Sequence, residues 1–261
     1  MLLFIYYLLL YYMIHYVCVA TESKGYFPYL KQLIPNLDVL GFDKKWTGFS
    51  MKFELMIEYL NSLHDDDIVC FIDAYDVLPT KNIVNLEKKF TLFSKKHPEI
   101  KMVIGYGKNN NILFETCIKN YFGTIDGDRI NSGTYIGYVK NVKDILLSIY
   151  RSQTDEILDD QIEFTKYIKQ KGGVFIDKKC NFFNVISKPL LQIKNTNKKC
   201  CFIHAPANGL LDDFLLEHHN IRVNLIDRMH NFTDNFNCAS KKLIITYPKI
   251  YISKIKSKIK I

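Results

Sequence analysis

Two aspartates, Asp73 and Asp76, lie three positions apart, directly after the apolar run Ile68–Ile72. This run has the length and β-branched content of a buried central strand. A strand that ends in acids places charge at the carboxyl edge of a sheet, where open α/β folds bind ligands. Residues i and i+3 of a straight strand point to opposite faces, so both acids can serve one ion only if the chain turns after Ile72. Two such carboxylates would suit Mg²⁺ or Mn²⁺; alternatively, they are solvated acids at a strand end.

Three further groups could contribute to the same chemistry. The stretch 131–137, Asn-Ser-Gly-Thr-Tyr-Ile-Gly, combines small residues with a strand pattern, so the backbone there can approach a ligand closely. Asp159 and Asp160 are predicted to open a helix, where acids suit the positive N-terminal end. His204 ends the apolar segment 202–203 in the same manner as Asp73 ends its strand. A histidine after a strand is often structural, but this placement makes His204 a candidate third metal ligand.

The elements that must position these residues alternate between strands and helices, which predicts a mostly parallel sheet flanked by helices. A chain of 261 residues with 48% apolar content fits one large α/β domain. We predict strands over 16–20, 37–40, 68–72, 101–106, 133–139, 174–176 and 201–204. We predict helices over 27–34, 50–63, 82–93, 142–150 and 159–170, and a loop-rich segment over 107–128.

Charge and hydropathy restrict the partners. The net charge is +8, but seven lysines lie between Lys241 and Lys260, so the rest of the chain is close to neutral. No nucleic-acid-binding motif accompanies the charge, and we predict no nucleic-acid partner. The lysine-rich tail, 236–261, could associate weakly with an anionic membrane surface. An apolar segment, 1–14, is signal-like or an anchor, although it falls short of the roughly 20 residues that span a bilayer.

Several common motifs are absent. The chain has no G-x-G-x-x-G and no P-loop, which disfavours a dinucleotide fold and a P-loop nucleotidase. The spacing of Asp73 and Asp76 does not fit haloacid-type phosphatases. The pair His64-x-Asp66 could indicate an iron- and oxoglutarate-dependent oxygenase, but no all-β pattern surrounds it. Seven cysteines without a C-x-x-C pair do not identify a redox compartment.

In their order along the chain, four motifs resemble the glycosyltransferase domain of the procollagen lysyl hydroxylase family and its stand-alone relatives. These are Asp-Ala-Tyr-Asp-Val at 73–77, Asn-Ser-Gly-Thr-Tyr-Ile-Gly at 131–137, Asp-Asp-Gln at 159–161 and the strand ending in His204. The resemblance extends from about Val17 to about Asn208. It implies a GT-A type, Rossmann-like α/β fold in a single domain over 15–235. It also implies a UDP-sugar donor and Mn²⁺ or Mg²⁺ as the cofactor.

The resemblance also implies roles for individual residues. Asp73, Asp76 and His204 would bind the metal. Tyr75 would stack on the uracil, Thr21 and Trp46 would line the nucleoside pocket, and Asn131 and Ser132 would lie beside the donor sugar. Asp159 and Asp160 would lie near the transferred sugar and the acceptor. The implied cofactor-binding residues are Thr21, Trp46, Lys52, Tyr75, Ser132, Asn208 and Gly209, and the implied catalytic residues are Asn131, Asp159 and Asp160.

The expected function is transfer of a hexose, glucose or galactose, from a UDP-sugar to a hydroxyl acceptor, including hydroxylysine or galactosylhydroxylysine of a collagen-like protein. The alternative is a non-catalytic relative that binds a nucleotide or a partner protein. It is suggested by the loop after His204, where His-Gly-Asn-Gly becomes His-Ala-Pro-Ala-Asn-Gly and the family's following lysine has no equivalent. The richness in Ile, Lys, Asn and Tyr indicates an AT-rich genome, such as that of a virus. The compartment, secretory lumen or host-cell compartment, stays open.

Overall fold

The computed structural model describes residues 13–107, 118–152, 159–187, 191–193, 199–206 and 209–224. The strands are β1 (Ile14–Val19), β2 (Leu37–Leu40), β3 (Ile68–Ile72), β4 (Val77–Pro79), β5 (Met102–Tyr106), β6 (Ile130–Tyr138), β7 (Val174–Ile176), β8 (Phe183–Val185) and β9 (Phe202–His204). The helices with both ends described are α1 (Phe27–Leu33), α2 (Phe49–Asn61), α3 (Leu86–Lys96), α4 (Val139–Arg151), α5 (Asp160–Lys171) and α6 (Asp212–His219), and a 3₁₀ helix covers Lys81–Asn85.

Six of the described strands form one sheet in the order β2-β1-β3-β6-β5-β7. Three neighbouring pairs are parallel, and only β6 runs antiparallel to both of its neighbours, β3 and β5. The register pairs Ile72, the last residue of β3, with Thr134. Because β6 is reversed, residues 131–133 lie at the carboxyl end of β3. The reversed strand therefore brings the small-residue stretch to the two aspartates.

A second sheet of three short strands, in the order β4-β9-β8, follows the turn after β3. β4 pairs antiparallel with β9, and this register sets Val77 opposite His204. The backbone N–H of Ala205 donates to the carbonyl of Asp76 at 2.8 Å. The small sheet thus places His204 beside the aspartate turn, although the two are far apart in sequence.

The six-stranded sheet separates two apolar clusters. The side chains of β3 alternate between them, with Cys70 and Ile72 in one and Val69 and Phe71 in the other. The first cluster contains apolar residues of α1, α3, α6 and the small sheet, and the second contains those of α2, α4 and α5. Both faces of β3 are buried, which is why its sequence is a continuous apolar run and not an alternation.

The described elements confirm the mixed, mostly parallel sheet flanked by helices, with some changes at the boundaries. β6 begins at Ile130 and not at 133. The polar residues Asn131 and Ser132 concealed its first part from the sequence prediction, although both are buried in the strand. The helix predicted over 82–93 is a 3₁₀ helix followed by α3, and α4 begins at Val139, three residues early. β4 and β8 were missed, because only their pairing with β9 makes these short segments strands.

The described residues include only a small part of the two predicted terminal segments, 1–14 and 236–261. β1 begins at Ile14, the last residue of the apolar segment 1–14, while residues 1–12 and the tail 236–261 lie outside the described residues. The domain boundaries 15 and 235 therefore stay a prediction, as does membrane association of the tail. None of the helices within the described residues is both long enough and apolar enough to cross a bilayer.

Candidate active site

The chain turns directly after β3, as a shared site for Asp73 and Asp76 requires. The backbone N–H of Asp73 donates to the carbonyl of Gly133 at 2.7 Å, beyond the last paired residue of β3. Residues 74–76 form a turn, and the chain then enters β4 at Val77. The turn brings both carboxylates to the same end of the large sheet.

Asp73, Asp76 and His204 form the candidate metal centre. One ligand atom from each lies within 4.8 Å of the others. The Nε2 atom of His204 is 3.2 Å from Asp76 Oδ1 and 4.0 Å from Asp73 Oδ2. His204 is buried, and neither ring nitrogen makes an aligned hydrogen bond to any described residue. A buried imidazole whose Nε2 atom faces two carboxylates forms a donor set that fits a divalent cation.

Gly133 makes room for this trio. A Cβ atom on Gly133 would lie 2.2 Å from Asp73 Oδ2 and 2.4 Å from His204 Cε1, much closer than any real contact. The sequence pattern predicted that the backbone of this stretch approaches a ligand. In the structure it is two side chains of the candidate metal centre that lie against the glycine.

The charges of the trio are strongly interdependent. Loss of solvent raises the pKa of Asp73; the Lys52 ammonium opposes this shift, and the Asp76 carboxylate adds to it. Burial alone would lower the pKa of His204, but the carboxylates of Asp76 and Asp73 outweigh it, so this pKa is raised. Both groups therefore hold protons more tightly than usual, and a metal ion bound there would compete with protons for them.

Lys52 connects the candidate metal centre to α5. Its Nζ atom, on α2, lies 3.0 Å from Asp73 Oδ1 and 2.5 Å from Asp160 Oδ2. The Ser132 hydroxyl donates to the other oxygen of Asp160 at 3.0 Å. Burial would lower the pKa of Lys52, but the two carboxylates reverse the shift and raise it. The lysine is therefore a buried ammonium ion that bridges two acids.

The two acids at the start of α5 have different surroundings. Asp159 is the N-cap residue, and its Oδ1 accepts hydrogen bonds from the backbone N–H groups of Gln161 (2.9 Å) and Ile162 (3.4 Å). Burial, with a smaller contribution from the Asp160 carboxylate, raises the pKa of Asp159 to about 6. Asp160 instead faces Lys52. Nothing in the sequence distinguishes the two acids. In the structure Asp159 caps α5, whereas Asp160 lines the pocket.

A pocket of about 380 Å³ opens beside the candidate metal centre. It brings together seven of the residues predicted for the site: Thr21, Trp46, Lys52, Asp73, Tyr75, Asp76 and Asp160. The backbone N–H of Thr21 donates to the Tyr75 hydroxyl oxygen at 3.1 Å. Trp46 is 42% exposed, and its ring meets that of Phe49 edge-on. Glu22, Lys24 and Phe49 also line the pocket, and sequence reasoning missed all three.

The remaining predicted site residues do not line this pocket or lie outside the described residues. Asn131 is buried, and its side-chain oxygen accepts a hydrogen bond from the Gly133 backbone N–H at 3.2 Å. Gly209 packs near Ile193 and Ala205, where a Cβ atom would lie 3.0 and 3.1 Å from their side chains. Asn208 lies outside the described residues.

Residues 12–232 match the family model of the PLOD GT domain. The chain belongs to this family. It is 27% identical over 200 residues to procollagen-lysine,2-oxoglutarate 5-dioxygenase 1 of Gallus gallus, covering 72% of this chain and 24% of that protein. It is 25% identical over 186 residues to procollagen-lysine,2-oxoglutarate 5-dioxygenase of Drosophila melanogaster, covering 63% of this chain and 24% of that protein. The predicted family is thereby confirmed.

The chain spans about a quarter of the length of these curated relatives, 24% in each case. The solved structure of mouse xyloside xylosyltransferase 1 in its apo form shows a weaker likeness. Its TM-score is 0.43 at 11% identity, over 76% of this chain and 99% of that one. The family match and the sheet topology confirm the predicted fold class, a GT-A type α/β fold, and identify a glycosyltransferase domain.

Proposed function

We propose that this domain is a metal-dependent glycosyltransferase that moves a hexose, glucose or galactose, from a UDP-sugar to a hydroxyl acceptor. The observation that carries the proposal is the convergence of Asp73, Asp76 and His204 beside a pocket that also contains Tyr75 and Trp46. Such a site combines hard oxygen and imidazole ligands with aromatic rings. A nucleoside diphosphate needs both, because it carries a flat base and several anionic oxygens.

The donor side would be organised by the chain as follows. Asp73, Asp76 and His204 would hold Mn²⁺ or Mg²⁺. When bound, the cation would act as a Lewis acid and neutralise negative charge on the departing diphosphate. Tyr75 and Trp46 offer ring surface to the base. Asn208 and Gly209, predicted for the donor, stay part of the proposal on the strength of the family resemblance alone.

Asp160 is the carboxylate that we assign to the acceptor side. It lines the pocket, and Lys52 and Ser132 hold its two oxygens. An acid held in this way can orient a sugar or acceptor hydroxyl group without a search among rotamers. Asp159 and Asn131, also predicted to be catalytic, are assigned supporting roles, because one caps α5 and the other bonds to the backbone of β6.

For the acceptor we propose hydroxylysine or galactosylhydroxylysine in a collagen-like protein. The support is the family resemblance and the names of the two curated relatives, which act on procollagen lysine. The dioxygenase activity in those names is not carried over, since the match is to the GT domain and covers a quarter of each relative.

The test is UDP release from UDP-glucose and UDP-galactose with Mn²⁺, with and without a hydroxylysine peptide. We expect turnover by the wild type and a loss of at least about 100-fold in Asp76→Ala and His204→Ala, as for removal of a metal ligand. Asp66→Ala, an exposed acid in the loop before β3, is the matched control and should keep full activity. Full turnover by Asp76→Ala would contradict the proposal. UDP binding without turnover on any donor would instead support the non-catalytic alternative.

A further inference from the structure

The loop that follows β1 is attached to Tyr75, which directly precedes Asp76 in the turn between the two aspartates of the candidate metal centre. The backbone N–H of Thr21 donates to the Tyr75 hydroxyl oxygen at 3.1 Å, and that of Tyr26 donates to the Tyr75 carbonyl at 3.0 Å. Gly25, with φ of +57°, allows this approach, because a Cβ atom there would lie 2.7 Å from the same carbonyl oxygen. Loop 21–26 and the aspartate turn therefore form one structural unit.

This loop places a positive charge in the pocket. The Nζ atom of Lys24 lies 4.8 Å from the centroid of the Tyr75 ring and 2.5 Å from Glu22 Oε1. Lys24 and Glu22 both line the pocket. Their side chains are 49% and 59% exposed, so this ion pair is at the solvent-facing side of the site.

The charged side chains that line the pocket indicate which lysine ammonium group can exchange its counterion. Among the described residues that line it, four carry carboxylates (Glu22, Asp73, Asp76 and Asp160) and two carry ammonium groups (Lys24 and Lys52). Lys52 is 10% exposed and is held by two acids, so its release would leave buried charges behind. Lys24 belongs to an exposed pair, and such pairs contribute little because water solvates both ions when they separate.

We propose that Lys24 binds the diphosphate of the nucleotide donor. On binding, the diphosphate replaces the Glu22 carboxylate as the counterion of Lys24. This inference rests on the proposed function, since it assumes a nucleotide in the pocket. A diphosphate offers more acceptor oxygens and more negative charge than one carboxylate. Lys24 already lies over the tyrosine that separates Asp73 from Asp76, so it can reach an anion held at that turn. Glu22 then has a defined role: it competes with the ligand.

The experiment compares two ligands that differ only in the diphosphate, UDP and uridine, each with diamagnetic Mg²⁺ present. UDP affinity is measured by calorimetry and uridine affinity by ligand-observed NMR. Lys24→Gln should weaken UDP binding about tenfold, as expected for loss of one charge-assisted hydrogen bond, and leave uridine binding within about twofold. Lys24→Arg should largely restore UDP affinity. Glu22→Gln should tighten UDP binding about two- to threefold, because it removes the competitor.

Lys31 provides the matched control. Its Nζ atom also lies over an aromatic ring, that of Phe27 at 5.8 Å, but it does not line the pocket. Lys31→Gln should leave both affinities unchanged. The inference is overturned if Lys24→Gln binds UDP like the wild type, or if it loses uridine and UDP equally, which would mean that the lysine only supports the ring. If the wild type and Lys24→Gln bind UDP with the same affinity, only this inference is overturned. If the wild type does not bind UDP, the proposed function is overturned as well.

Discussion

Gly133→Ala is the sharpest test of the candidate metal centre, because it adds one methyl group beside two of the candidate ligands. The new Cβ atom would lie 2.2 Å from Asp73 Oδ2 and 2.4 Å from His204 Cε1, whereas Cβ contacts below 3.0 Å essentially never occur. The carboxylate must therefore retreat by about 0.8 Å and the imidazole by about 0.6 Å, unless the backbone of β6 moves away from them. Metal–ligand distances tolerate changes of only about 0.2 Å. At least one of the two ligands should be lost.

We expect Gly133→Ala to lower Mn²⁺ affinity by at least about 100-fold, the upper range for disturbing a group that orients a metal ligand. Overpacking should also cost about 1–3 kcal/mol of folding stability. Mn²⁺ binding can be followed by electron paramagnetic resonance of the free ion, and stability by urea denaturation without metal.

Gly137→Ala on the same strand separates the two effects. Its Cβ atom would lie 2.7 Å from Val142 Cγ2 and 2.9 Å from the Lys101 carbonyl oxygen, away from the site. It should lose comparable stability and keep its Mn²⁺ affinity. Unchanged Mn²⁺ binding in Gly133→Ala would refute the reasoning, and so would an equal loss in both variants.

Three further predictions concern the buried charges. Lys52→Met leaves Asp73 and Asp160 without their shared cation and should cost about 3 kcal/mol in urea denaturation at pH 7, the low end for a buried pair because the Asp73 side chain is 36% exposed. A cost below about 1 kcal/mol would show that water screens this pair. Since the pKa of Asp159 is raised to about 6, its ionisation opposes folding, and stability should fall as the pH rises from about 4 through 6. Asp159→Asn keeps a capping oxygen and should remove about 2 kcal/mol of that fall, seen as the difference between variant and wild-type denaturation curves. Asp177→Ala removes a buried carboxylate that accepts three backbone N–H groups and should cost about 3 kcal/mol without changing Mn²⁺ affinity.

The features predicted correctly from the sequence have a local signature. The strand Ile68–Ile72 was predicted with its exact bounds, because burial on both faces requires an apolar residue at every position. The need for a turn after it followed from strand geometry alone. That Tyr75 and Trp46 bind the nucleoside stays a prediction from the family resemblance, although both residues line the same pocket. Periodicity could not have supplied it, since both residues lie outside regular elements.

The features that sequence reasoning missed depend on contacts between distant segments. β4 and β8 have three residues each, and only their pairing with β9 makes them strands. The partners of Lys52 are 21 and 108 positions away and are set by how α2 and α5 pack on the sheet. The loop from Thr21 to Tyr26 carried a weak signal, because it follows the carboxyl end of a strand in an α/β fold, where ligands bind.

Asp73 makes the two halves of the site dependent on each other. Its Oδ1 atom pairs with Lys52, and its Oδ2 atom faces His204 across 4.0 Å. The same ammonium group pairs with Asp160, which we propose for the acceptor side. We therefore expect a change in charge at the candidate metal centre to change how strongly Lys52 pairs with Asp160. Under the proposed function, this one buried lysine would couple the charge of the candidate metal centre to the carboxylate that we assign to the acceptor.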